Sequence, residues 1–95
     1  MKVKGKLAVG DVLARKMHPK PLPTPVYWTG TLPPEDDFGE PYGMLMYDAP
    51  TVYRGKWANM SHKSWLRYGA TDQLGTGLGQ KYEKQPDGRW LKVEG

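Results

Sequence analysis

Gln80-Lys81-Tyr82-Glu83-Lys84-Gln85-Pro86-Asp87-Gly88-Arg89-Trp90-Leu91-Lys92-Val93-Glu94 is the most informative run of the chain. Proline opens a turn, and glycine supplies the positive φ that closes it. The run predicts a hairpin of strands 80–85 and 89–94. With Gln85 opposite Arg89, Lys84 faces Trp90 and Tyr82 faces Lys92. Tyr82 and Trp90 then share one face with two lysines, where cation–π contact is worth ~0.5–1 kcal/mol if exposed. Leu91 and Val93 are expected on the other side, toward the core.

Working back from the hairpin, Gly75-Thr76-Gly77-Leu78-Gly79 is a tight loop. A phosphate cradle needs a lysine and a hydroxyl residue opening a helix, but here Gln80-Lys81-Tyr82 enters a strand. The run 59–68 is the one good helix candidate. Asn59 or Ser61 suits its cap, Arg67 its last turn, and Gly69 a left-handed exit. Tyr42 to Tyr47 has strand composition. Asp48-Ala49-Pro50 is expected to turn it and Thr51-Val52-Tyr53 to pair back. Val26-Tyr27-Trp28 reads as a short strand, and Lys2 to Met17 as two more.

Between these lie Pro19, Pro21, Pro23 and Pro25. Prolines at every second residue deny both sheet and helix, so the segment is expected to be an extended docking arm or a stiff connector.

The expected fold is therefore α+β, mainly β. It has short antiparallel strands, one short helix and a C-terminal hairpin. Residues 1–25 form a basic, proline-rich part, and residues 26–95 the compact domain. A chain of 95 residues has room for one such domain. It has no isoleucine and one phenylalanine, so its core must draw on aromatics, Leu, Val and Met. Trp57, Trp65, Tyr82 and Trp90 are the expected packing or interface anchors.

Charge is segregated along the chain. Residues 1–20 carry Lys2, Lys4, Lys6, Arg15, Lys16 and Lys20 against Asp11. Residues 35–48 carry only acids, and residues 54–67 carry Arg54, Lys56, Lys63 and Arg67 with no acid. Such blocks serve as solvated faces, pair with one another, or meet an acidic partner. For Lys2, Lys4, Lys6, Arg15 and Lys16 contact with an acidic partner is expected.

No cysteine is present, which excludes disulfides and thiolate zinc sites. The acids lack a calcium-loop pattern, and Ser61-His62 lacks an orienting third group, so neither a metal nor a catalytic centre is expected. No cofactor is expected either. No apolar run is long enough to span a bilayer. Met1 to Lys6 is basic without a following apolar stretch, so no signal peptide is read there.

Trp57-Ala58-Asn59-Met60, Ser61 and Ser64, Tyr68-Gly69, and the string Leu74 to Tyr82 together resemble a family of small phage and prophage proteins of zinc-ribbon-like appearance. The likeness spans roughly Asp36 to Glu94. In that family the positions of Ser61 and Ser64 are typically a Cys-x-x-Cys pair, with a second pair upstream of the segment matching Asp48 to Tyr53. Here serine stands at both, so zinc is not carried over. The resemblance implies a phage origin and a compact knuckle over residues 57–82.

The expected function is a non-enzymatic structural or interaction protein of a virion: a capsid decoration, cement or connector subunit whose partners are other phage proteins. Two alternatives stand beside it. One is an intracellular nucleic-acid-binding module in the host cytoplasm, suggested by a sequence pI near 9.4. The other is a small inhibitor of a host protein. No membrane or small-molecule partner is expected.

Overall fold

The computed structural model describes residues 24–95. The strands expected within residues 2–17, the cations Lys2, Lys4, Lys6, Arg15 and Lys16, and Pro19, Pro21 and Pro23 lie outside the described residues. Five elements follow in order: β1 (Leu45–Pro50), β2 (Trp57–Met60), α1 (His62–Tyr68), β3 (Gln80–Lys84) and β4 (Trp90–Glu94). The strands form one antiparallel sheet in the order β2-β1-β3-β4. The domain is small, mainly β, with one short helix.

The C-terminal hairpin has the register that its turn dictates. Lys84 pairs with Trp90, Glu83 with Leu91 and Tyr82 with Lys92, and an irregularity between Lys81 and Tyr82 then shifts the ladder. The Gln85 amide donates to the Arg89 carbonyl at 2.7 Å. Its facing is the reverse of the expectation. Tyr82 is 5% exposed while Val93 is 46% exposed. The reason is a covering layer from far upstream: Trp28, Leu32 and Trp90 pack with Tyr42, Met46 and Tyr82 on that face.

The first hairpin also departs from its expectation. β1 does not turn at Asp48 but continues to Pro50, which pairs with Trp57. Proline is tolerated there because it ends the strand. Residues 51–55 make the turn, with Arg54 at φ 58° and Gly55 at φ 69°. Trp57 to Met60 is therefore the returning strand, and Thr51-Val52-Tyr53 is not. With Asn59 and Met60 used in β2, the helix starts at His62 and is capped by Ser61, whose side chain accepts from the Ser64 amide.

Gly69 ends the helix, though not in the left-handed region: its φ is −62° and its ψ 138°. Glycine is needed there for space. A Cβ would sit 2.6 Å from the Trp65 carbonyl oxygen. The extended backbone lets this corner pair with the β1–β2 turn, the Val52 amide donating to the Tyr68 carbonyl at 2.8 Å and the Ala70 amide to Pro50 at 2.9 Å. Gly79 likewise lets backbones meet, since its Cβ would lie 2.5 Å from Ala49 Cβ.

α1 covers the second face of the sheet. There Tyr47, Ala49 and Met60 are buried beneath Phe38, Trp65, Tyr68 and Leu74, among others. The Tyr47 and Trp65 rings stack at 4.4 Å, and the Tyr47 hydroxyl bonds His62 Nδ1 at 2.7 Å. Two small cores thus lie on opposite faces of one sheet. Val26-Tyr27-Trp28 is reduced from a strand to a bridge along the edge of β4, where Tyr27 pairs with Leu91. Trp28 donates to Trp90 at 2.9 Å and Lys92 to Val26 at 2.8 Å.

Candidate functional site

Three places concentrate chemistry. The first is a buried polar joint between the 35–40 turn and the start of α1. Asp36 is followed by Gly39 at φ 83°, the composition of a side-chain-stabilised turn. Its Oδ1 accepts the amides of Phe38 and Glu40, both at 2.9 Å, and its Oδ2 accepts that of Ser61 at 2.8 Å. Ser61 Oγ in turn donates to Ser64 Oγ at 3.3 Å. Burial pushes the carboxyl pKa up, but the donors from Ser64, Ser61, Glu40 and Phe38 outweigh it, and the pKa falls from 3.8 to about 2. Asp36 is thus a fully ionised pin. Beside it, the Asp37 amide donates to Asn59, and the Asn59 amide returns to Asp37 Oδ2 at 2.9 Å, closing the outer edge of β2. Lys63 reaches Glu40 at 3.5 Å, one exposed link between the acidic and basic blocks.

The second place is the tip of the β1–β2 hairpin. Val52, Tyr53 and Trp57 are 59%, 53% and 51% exposed. Between them stand the exposed cations Arg54 and Lys56. The Tyr53 ring lies 6.1 Å from Phe38 and 5.8 Å from Tyr68, which themselves stack at 4.2 Å. The tip is therefore braced from behind, and Arg67 lies 5.9 Å from the Tyr68 ring. Arg54 holds a left-handed backbone without being glycine, a conformation that carries strain.

The third place is a groove of about 460 Å³ on the opposite side of the sheet. Trp28, Tyr42 and Trp90 wall it, with Pro33, Pro34 and Pro41 alongside. Tyr42 meets Trp90 edge-on at 5.8 Å and 61°, and Trp28 meets Tyr82 at 5.5 Å and 84°. Burial, reinforced by Asp37 and Asp36, pushes the Tyr42 phenol up to about 12, so it stays neutral. Lys84 and Arg89 are its charged lining residues. Lys84 Nζ lies 5.9 Å over the Trp90 ring, the cation–π contact that the hairpin register predicts. Arg89 stacks on Tyr27 at 4.0 Å and pairs with Asp87 at 2.8 Å.

The four aromatic anchors do not converge. Tyr82 is buried beside half-buried Trp90, Trp65 packs on the other face, and Trp57 stands exposed at the tip. Pro25 is exposed at the start of the described residues. The sequence presents Asp36 as one acid of a block, and its role here has the turn composition Asp-x-x-Gly as its only signal. Trp28 and Tyr42 read as strand residues, but β1 begins at Leu45 and both sit in loops, where no periodic signal marks a site. Among the described residues no group of three or more His, Cys, Asp or Glu is placed to hold a metal ion. No helix among them is long and apolar enough to cross a membrane. No family model, curated protein or solved structure matches the chain.

Proposed function

We propose that the chain is a non-enzymatic interaction protein that attaches to a larger assembly through the β1–β2 tip. A phage particle, with this chain as decoration, cement or connector subunit, is the setting that the sequence resemblance implies. The observation that carries the docking role is the exposure of Val52, Tyr53 and Trp57 within six residues of a braced turn. Large aromatics held rigid at a surface give contact area at little entropic cost.

Charge placement favours a protein partner over nucleic acid. Residues 24–95 hold 8 Lys and Arg against 9 Asp and Glu, or −1, while residues 1–23 hold 6 against 1, or +5. Residues 24–95 therefore offer no net attraction to a polyanion. Lys2, Lys4, Lys6, Arg15 and Lys16 supply a basic contact for an acidic partner surface.

A mass-spectrometric inventory of purified virions tests the setting; absence of the chain from the particles rejects it. The double variant Tyr53→Asp, Trp57→Asp tests the surface. It should fold normally and be lost from the assembly, and full retention would reject the tip as the contact.

A further inference from the structure

The Trp28–Tyr42–Trp90 groove lies on the other side of the sheet from the aromatic brace of the tip, and the docking role above leaves it unused. We propose that it receives an extended, proline-rich peptide segment bearing a carboxylate. Three observations select this occupant.

The first is the shape of the walls. Tyr42 and Trp90 are inclined at 61°, and Trp28 stands edge-on to Tyr82. Inclined rings do not make the parallel slot that clamps a nucleobase. The half-buried rings of Trp28 and Trp90 line the groove, and polyproline segments dock on aromatic-lined grooves of this kind. Pro33, Pro34 and Pro41 continue the same flat, apolar lining.

The second is charge. Among the described residues, Lys84 and Arg89 line the groove and no carboxylate does. Arg89 is already engaged by Asp87 and Tyr27, so Lys84 is the charge that selects. Its ammonium sits beside the Trp90 wall, where an incoming carboxylate would meet it. The third is the charge of the body around the groove. Residues 24–95 hold 8 Lys and Arg against 9 Asp and Glu. A long polyanion such as single-stranded nucleic acid gains no net attraction there, whereas a short segment with one or two acids needs only Lys84.

The test is calorimetric titration of the full chain with two peptides, Ac-PPEPPEPP-NH2 and its lysine counterpart Ac-PPKPPKPP-NH2. The glutamate peptide should bind about 2- to 5-fold more tightly, the range of a partly exposed charge pair. Lys84→Glu, at an exposed position, should reverse that order without unfolding the domain. Trp90→Ala should weaken both peptides at least ~10-fold, as removal of a wall aromatic does. Equal affinity for the two peptides, an order unchanged in Lys84→Glu, or no heat with either up to about 1 mM would overturn the assignment. So would an oligothymidylate that binds where neither peptide does. Loss of the tip contact in Tyr53→Asp leaves peptide binding intact, so failure of the docking reading and failure of this one are separable.

Discussion

Replacing Asp36 with asparagine removes the charge that joins the 35–40 turn to α1 while keeping its shape. The carboxylate presents one oxygen to Phe38 and Glu40 and the other to Ser61. The amide presents one oxygen and one NH2, so an NH2 must face a backbone N–H on one side, donor against donor. The native pKa of about 2 against 3.8 corresponds to about 2 kcal/mol of stabilisation, at ~1.36 kcal/mol per unit. A buried donor left unpaired adds about 1–3 kcal/mol. The variant should therefore be less stable by about 3–5 kcal/mol, or roughly 12–40 °C in Tm for a domain of this size. Because the native pKa lies below the unfolded one, the carboxylate's contribution is complete above about pH 4 and is lost as pH falls toward 2. Wild type should lose stability over that interval, and Asp36→Asn should lose less. Urea unfolding followed by tryptophan emission at several pH values reads both effects. A variant within about 1 kcal/mol of wild type at neutral pH, or one with an equally steep acid limb, would refute the reasoning.

Gly69→Ala should cost about 1–3 kcal/mol through contact with the Trp65 carbonyl, and Gly69→Asn should be no better. Rescue by asparagine in thermal melts would instead indicate a left-handed backbone. Gly79→Ala combines φ 122° with a clash on Ala49, so it should exceed ~2 kcal/mol. Gly77→Ala, with φ 77° and open space around it, should cost only about 1–2 kcal/mol; equal losses at the two sites would contradict the packing argument. Tyr47→Phe removes the bond to His62 and should cost about 1 kcal/mol with the ring stacking on Trp65 preserved. An unchanged melting temperature would show that bond to be without net value.

What the sequence made legible was local. The Pro86-Asp87-Gly88 turn fixes the register from Lys84–Trp90 to Tyr82–Lys92 because five residues and one glycine permit little else. The choice of face was not legible, since it depends on Trp28, Leu32 and Tyr42 arriving from forty or more positions away in sequence from Tyr82 and Trp90. Period-two patterning identifies two faces but not which one another segment will cover, and in this sheet both are covered in part. The first hairpin was misread for a related reason. Asp48-Ala49-Pro50 has turn composition, but Ala49 is packed against Gly79 and Pro50 needs no amide partner at a strand end. Arg54 took the left-handed place beside Gly55 that composition alone assigns to Asn, Asp or Gly. Of the site residues, the aromatic anchors were legible as types, but their separation onto two faces and a tip was not.

The seam around Asp36 has a bearing on handling and on habitat. It is sewn with main-chain amides, two hydroxyls and one carboxylate, so oxidants, reducing agents and chelators find nothing in it to attack. Only strong acid loosens it, and neutralisation restores the same contacts. A part fastened in this way tolerates passage between reducing and oxidising surroundings without rearrangement.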